Sequence, residues 1–197
     1  LLTISDLTVV NSTIAYNRAN RDGAGLFNFG TTSMYSTTVV GNDADYDEVD
    51  GGTGGGVFAD TTGGHRLITV NSLIARNTLR TTLVYSECSG TLEVYGSNRL
   101  GDFNGCTFAG NGSAAVGVVS RSSFGALDDN GGTTLSIALL AGSAAVDATT
   151  TQGCIDETGA ALSVDQRGAP RSGAPDIGAY ERQPIGAALF ANGFEAG

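Results

Sequence analysis

Short apolar runs alternate with polar turns along the chain, and one eight-residue pattern occurs three times. The copies read VNSTIAYN at 10–17, YSTTVVGN at 35–42 and VNSLIARN at 70–77. Aligned without gaps, they place an aliphatic residue at one shared position and asparagine at another, namely Ile14, Val39 and Ile74, and Asn17, Asn42 and Asn77. Such repeats predict a solenoid, because one repeat cannot bury its apolar face until the next stacks on it.

Within a repeat, the apolar runs predict strands of three or four residues, three to a repeat. The clearest strands lie at 26–28, 33–35 and 38–41 in one repeat, and at 57–59, 67–70 and 73–75 in the next. Strands this short suit a coil in which each pairs in parallel with its equivalent one turn further along. The pattern therefore predicts an all-β parallel β-helix over residues 1–110.

The spacing between repeats locates two insertions. Asn17 and Asn42 are 25 residues apart, whereas Asn42 and Asn77 are 35 apart. The surplus falls in an acidic turn insertion at 43–56 and in a smaller one around 61–64. Insertions confined to turns leave the stacked strands unchanged.

Asparagine and glycine are predicted to shape the corners of the coil. The asparagine column would form a stack in which side chains hydrogen-bond to each other and to turn backbone. Glycines before the first strand of a coil would allow positive φ at another corner: Gly23, Gly25, Gly54, Gly55 and Gly56. Further along, the pattern weakens, and residues 135–140 fit either a short helix or a buried strand.

Composition narrows the class of partner. The chain of 197 residues carries 30 glycines, 3 prolines and a net charge of −10, and all of its basic residues are arginine. An acidic chain argues against nucleic acid and anionic membranes, which bind clustered positive charge. It suits divalent cations or neutral glycans. No apolar run is long enough to span a membrane.

The C-terminal third carries a series of motifs that resemble a known family. They are FGALDDNGGTTL at 124–135, LAGSAAVD at 140–147, DQRG at 165–168 and DIGAYE at 176–181. In this order they resemble the C-terminal module of bacterial secreted right-handed parallel β-helix proteins of the choice-of-anchor type. The earlier repeats are similar to those of polymorphic outer membrane proteins.

The resemblance implies an exported or cell-surface β-helix from a Gram-negative envelope, closed by an irregular module over 111–182. The tail, 183–197, is similar to short endings of exported proteins. The resemblance also implies a disulfide between Cys88 and Cys106, which would contribute about 3 kcal/mol by closing its loop. Relatives often carry a cysteine where this chain has Pro175, so Cys154 is expected to be a buried or free thiol.

One acidic loop is a candidate calcium site. Its carboxylates alternate and are followed by glycines: Asp43, Asp45, Asp47, Glu48 and Asp50. Calcium takes six to eight oxygen ligands from a flexible acidic loop, although the spacing here is not that of an EF-hand. The alternative is a solvated insertion whose charges keep a strand edge unpaired.

A second group combines arginine with acids in the C-terminal module: Asp147, Asp165, Arg167, Arg171, Asp176 and Glu181. Arginine–carboxylate pairs at this spacing can fix irregular backbone, and this structural role is preferred to a catalytic one. The single histidine, His65, lacks the partners of a catalytic triad. Five tyrosines are candidates for a carbohydrate-binding face, or for packing against coil edges: Tyr16, Tyr35, Tyr46, Tyr85 and Tyr95.

The sequence therefore favours a non-catalytic surface or secreted protein that takes part in adhesion or glycan binding, with no catalytic residue assigned. Two alternatives stay open. One is a polysaccharide lyase or glycoside hydrolase on the same scaffold, and the other is a structural stalk that displays another domain. The adhesion or glycan-binding role is preferred because a β-helix presents long flat faces and variable turn insertions, which favour extended ligands.

Overall fold

The structure is a computed structural model that describes residues 1–49, 51–150 and 152–183. Its first nine strands are β1 Leu2–Thr3, β2 Asp6–Val10, β3 Thr13–Ala15, β4 Leu26–Asn28, β5 Thr31–Tyr35, β6 Thr38–Val40, β7 Asp43–Ala44, β8 Val57–Ala59 and β9 Arg66–Val70. The later strands are β10 Leu73–Ala75, β11 Thr78–Leu79, β12 Val84–Tyr85, β13 Cys88–Tyr95, β14 Asn98–Leu100, β15 Cys106–Gly110, β16 Val116–Val118, β17 Phe124–Asp128 and β18 Ser136–Leu139. Two 3₁₀ segments lie at Thr62–Gly64 and Gly112–Ala115.

Most strands pair in parallel with a strand from the neighbouring repeat. The largest sheet has the order β1-β4-β8-β13-β9-β5-β2, with β15 also paired to β13. A second sheet has the order β16-β14-β10-β6-β3, and a smaller one joins β7, β11 and β12. The protein is thus all-β with large parallel sheets, an arrangement that fits a parallel solenoid.

The predicted column of aliphatic residues is confirmed. Ile14 pairs with Val39 and Val39 pairs with Ile74, while Leu100 continues the column on β14. Val39, Ile74 and Leu100 belong to the first hydrophobic core, between the two larger sheets, and Ile14 packs against it at the end of the stack. Burial of these side chains is the main force that holds one repeat on the next.

Single left-handed residues make the corners between the two larger sheets. Where the chain leaves the largest sheet, the corner falls at equivalent positions in four successive repeats. The corner residues are Asn11, Ser36, Asn71 and Gly96, all with positive φ. After the second sheet it falls at Tyr16, Gly41 and Arg76. One residue with positive φ redirects the chain without ending the parallel pairing on either side.

The prediction for the glycine corner is wrong for three of its five residues. Gly23 and Gly54 have positive φ, but Gly25, Gly55 and Gly56 do not. These three lie too close to backbone for any side chain. A Cβ at Gly25 would lie 2.5 Å from Gly56 O, and one at Gly55 would lie 2.2 Å from Thr78 O. Close approach, rather than a left-handed turn, therefore requires glycine there.

The C-terminal module covers the outer side of the second sheet. Strands β17 and β18 form an antiparallel pair, so residues 135–140 contain a strand and not a helix. Their side chains Phe124 and Ile137 join Leu73 and Val40 of the second sheet in a separate core. Among the residues described, no helix is long and apolar enough to cross a membrane.

Candidate functional site

The asparagine column forms a continuous hydrogen-bonded ladder. Asn17 Nδ2 donates to Asn42 Oδ1 at 2.9 Å, and Asn42 Nδ2 donates to Asn77 Oδ1 at 2.9 Å. The backbone N–H groups of Asn17 and Asn42 donate to the same two oxygens at 3.0 Å. Each amide therefore satisfies groups at a corner that would otherwise be buried without partners.

Glu87 ends this ladder. Its Oε2 accepts from Asn77 N and Nδ2, and its Oε1 accepts from Arg76 N at 3.1 Å. The side chain is completely buried, and Arg121 Nε lies 3.6 Å from Oε1. Burial raises the pKa of Glu87 to about 7, against the opposing effect of the Asn77 donors and Arg121. Sequence reasoning missed this residue, because a lone glutamate before a cysteine carries no motif.

The expected disulfide is confirmed. Cys88 on β13 and Cys106 on β15 are bridged, with their Cα atoms 5.4 Å apart. The bond links the start of β13 to the strand of the following repeat. Cys154 is a buried free thiol, and burial raises its pKa. A protonated, buried thiol is a poor nucleophile.

The acidic loop does not gather its described carboxylates at one point. Asp43 accepts from Thr78 Oγ1 at 2.9 Å and Asp45 accepts from Thr81 Oγ1, while Glu48 lies 3.5 Å from Arg80. Asp50 lies outside the described residues. Within residues 1–49, 51–150 and 152–183, no three His, Cys, Asp or Glu side chains are placed to hold a metal ion.

Calcium binding stays a prediction, and a thermal titration tests it. Calcium that binds the folded loop and not the unfolded chain would raise the melting temperature as the calcium concentration increases. The rise should vanish when Asp45→Ala is combined with Asp47→Ala. A wild-type melting temperature that does not respond to calcium would rule the site out.

The carboxylates of the C-terminal module mainly bind backbone N–H groups. Asp165 accepts from the N–H groups of Arg167, Ala169 and Glu181. Asp176 likewise accepts from the N–H groups of Asp147 and Arg182. Burial raises the pKa of Asp176 and of Glu181. These carboxylates therefore accept the hydrogen bonds of backbone N–H groups that no neighbouring strand pairs with, because the chain is irregular there.

The two arginines of this group tie the module together and to the repeats. Arg167 forms an ion pair with Asp165 at 2.8 Å, and Arg171 forms one with Glu181 at 3.3 Å. Arg171 also donates to Asn11 Oδ1 at 2.8 Å, at a corner of the first repeat. Side chains used in this way are held in place by the backbone and the carboxylates that they bind.

The tyrosines do not form one continuous face. Tyr16 lies over Gly41, Tyr46 is contacted by Arg18 and Arg80, and Tyr85 is covered by Arg121. Of the five, Tyr35 and Tyr95 line one shared groove. His65 packs against Phe29, with 4.4 Å between ring centroids.

Tyr35 and Tyr95 line a groove on the outer side of the largest sheet. Val70 lies between them and pairs in register with both, so the two tyrosines are two strands apart. Two strand spacings correspond to about 9.6 Å. The facing wall is the loop 152–159, and the groove holds about 360 Å³.

The groove is lined by hydroxyl, amide and carboxylate groups. Tyr95 Oη donates to Glu93 Oε1 at 2.7 Å, and Arg66 holds that carboxylate through two further hydrogen bonds. Asp156 and Glu157 contribute carboxylates from the loop wall. The Thr158 hydroxyl, which donates to Asp156, lowers the pKa of that carboxyl. The site thus combines half-buried aromatic rings with two carboxylates.

Comparison of the chain with protein-family models, with curated proteins and with solved structures finds no match. The geometry of the described residues is therefore the basis for assigning a function. The groove was only partly predictable, because the tyrosines are visible in the sequence but the loop that faces them is not.

Proposed function

We propose that this chain is a right-handed parallel β-helix of a secreted or cell-surface protein, and that it binds a neutral glycan in the groove beside Tyr35 and Tyr95. The observation that carries the proposal is the register of β5, β9 and β13, which sets two tyrosines two strands apart on one flat surface. Sugar rings stack on aromatic faces through their C–H groups. A disaccharide unit of an extended glycan is close in length to this separation.

The acceptors of the groove favour a neutral, hydroxyl-rich ligand. The carboxylates of Asp156 and Glu157 can accept hydrogen bonds from sugar hydroxyls. The same charges, with a net charge of −10 for the chain, would repel an acidic polysaccharide. Neutral glycans are therefore preferred to polyuronates.

The disulfide supports export. Cystine bridges persist in oxidising compartments and are rare in a reducing cytosol. The flat parallel sheet also suits an extended ligand, as it does in other solenoids. Adhesion to a glycan-coated surface is the biological role that these features support best.

Binding to an array of neutral and acidic oligosaccharides tests the proposal. We expect neutral oligosaccharides to bind, and Tyr35→Ala or Tyr95→Ala to weaken binding about tenfold each, since a lost aromatic contact has this effect. Tyr16→Ala is the matched control, because this exposed tyrosine lies over Gly41 away from the groove. Equal loss in all three variants, or no neutral ligand on the array, would contradict the proposal.

A reducing-sugar assay on the ligands that bind separates a binding protein from a glycosidase or lyase. A binding protein leaves every bound glycan intact. Release of reducing ends, abolished by a single carboxylate substitution in the groove, would assign catalysis instead.

A further inference from the structure

The groove beside Tyr35 and Tyr95 runs across the strands rather than along them. Its sheet side takes in residues from β5, β9 and β13, but no more than two positions on any one strand. Each of these strands is already paired on both sides, so a ligand cannot join the sheet here as an extra strand. A long ligand must therefore lie over the side chains, perpendicular to the strands.

The floor of the groove alternates between aromatic and aliphatic residues. Tyr35, Val70 and Tyr95 are in register on successive strands, which lie about 4.8 Å apart. Both tyrosines are half-buried, whereas Val70 is only 6% exposed. The row thus presents two accessible aromatic rings with one buried aliphatic residue between them.

The ring of Tyr95 is held in place from its own strand. Its Oη donates to Glu93 Oε1 at 2.7 Å, and Arg66 donates to both oxygens of the same carboxylate at 2.7 and 2.8 Å. A ring that is fixed before the ligand arrives loses little conformational entropy on binding. This part of the groove is therefore pre-organised for a stacking contact.

The facing loop is also fixed before a ligand binds. Asp156 Oδ1 accepts from the backbone N–H groups of Thr158 and Ala160 at 2.9 and 3.0 Å. Asn71 Nδ2 donates to Gly153 O at 2.8 Å, which ties the loop to a corner of the repeats. A preformed wall along one side of the row favours a ligand that is itself straight.

Straight glycans are those whose pyranose rings are joined through equatorial oxygens at C1 and C4. Successive rings of such a β-1,4-linked chain face in alternate directions, so every second ring presents the same face. We infer that the glycan of the proposed function is a linear β-1,4-linked chain that lies across the strands. Alternate sugars stack on Tyr35 and Tyr95, and the sugar between them lies over Val70. This inference rests on the proposed glycan binding and names the class of linkage.

Hexasaccharides that differ in linkage test the inference. Isothermal titration would compare cellohexaose and β-1,4-mannohexaose with maltohexaose, whose α-1,4 links make the chain coil. We expect at least one β-linked hexamer to bind about tenfold more tightly than maltohexaose, because a coiled chain reaches only one of the two rings. Maltohexaose binding as tightly as both, or another neutral glycan binding while neither does, would overturn this inference and leave the glycan function intact. No binding of any neutral glycan would overturn both.

A length series locates the contact with the second ring. Three consecutive sugars are the shortest chain that reaches both tyrosines, so affinity should rise about tenfold from the disaccharide to the trisaccharide and less from three sugars to four. The first step should disappear in Tyr35→Ala and in Tyr95→Ala, and remain in Tyr35→Phe, which keeps the ring. The step compares ligands on one variant, so a smaller folded fraction does not alter it. A step that persists in either alanine variant would overturn the inference.

Discussion

Asn77 donates its side-chain amide hydrogen to Glu87 Oε2 at 2.9 Å, so the asparagine ladder ends on a buried carboxylate. Space for this carboxylate comes from Gly101, where a Cβ would lie 2.1 Å from Glu87 Oε1. Arg121 faces the same oxygen and also pairs with Asp102, while its guanidinium covers Tyr85. A ladder of neutral amides is thereby coupled to one titratable group in the core.

Stability should depend on the ionisation of Glu87. Burial raises the pKa of folded Glu87 to about 7 from its usual 4.5, so the folded state binds this proton more tightly than the unfolded state. The resulting stabilisation is complete below pH 4.5 and is lost as the pH rises through about 7. We expect the free energy of unfolding to fall by about 2 kcal/mol between pH 5 and pH 8 from this group. Denaturant unfolding at both pH values measures it.

Glu87→Gln is the control for this prediction. Glutamine keeps the shape and one acceptor but does not titrate, so the pH dependence should become flatter by the stated amount. Asp176 and Glu181, whose pKa values are also raised by burial, retain their own contribution in the variant. An unchanged slope in Glu87→Gln would show that Glu87 is ionised in the same way in both states.

The position of each asparagine in the ladder should determine its contribution to stability. Asn42 is completely buried and bonds to the repeats on both sides, whereas Asn17 is partly exposed at the end. Asn42→Ala leaves buried donors and acceptors without partners and should cost about 2–3 kcal/mol. Asn17→Ala should cost clearly less. Chemical denaturation of the two variants compares them, and equal losses would contradict the ladder as a stabilising unit.

The repeats were predictable because their spacing is periodic and their core residues are alike. Ile14, Val39 and Ile74 could be aligned by eye, and parallel pairing followed from strands too short for hairpins. The corners were not predictable in the same way. Tyr16, Gly41 and Arg76 share a positive φ but no side-chain chemistry, so the sequence does not mark them. At these corners the repeats share a backbone conformation but not a residue type, and a sequence pattern records only the residue type.

Candidate sites were harder to predict, because they depend on contacts between distant segments. The acidic loop looked like a single ligand set, yet Asp43 and Asp45 are directed to threonines of the next repeat. Conversely, the groove needs both Tyr95 and a loop some sixty residues later, and no local motif connects the two. Tyr95 and this loop come together only because the C-terminal module packs against the parallel sheets.

The burial of each residue in the aliphatic column should determine how far its substitution by alanine lowers the free energy of unfolding. Ile74 is 1% exposed with a paired strand on each side, so Ile74→Ala should cost about 2–5 kcal/mol through lost apolar contact and a residual cavity. Ile14 is only partly buried, with a single neighbouring strand, and Ile14→Ala is the matched control. Its cost should be less than half as large. Urea unfolding measures both, and an Ile14 effect equal to that of Ile74 would contradict the stacking order.

The disulfide should stabilise the repeats mainly by reducing the conformational entropy of the unfolded chain. Cys88 and Cys106 are 18 residues apart, and closing a loop of this size restricts the unfolded ensemble by about 3 kcal/mol. Replacing both by serine should lower the free energy of unfolding by about that amount. Wild-type protein in a reducing agent should show the same loss, whereas the double variant should not respond to reductant. A reductant effect of the same size in the double variant would contradict this prediction.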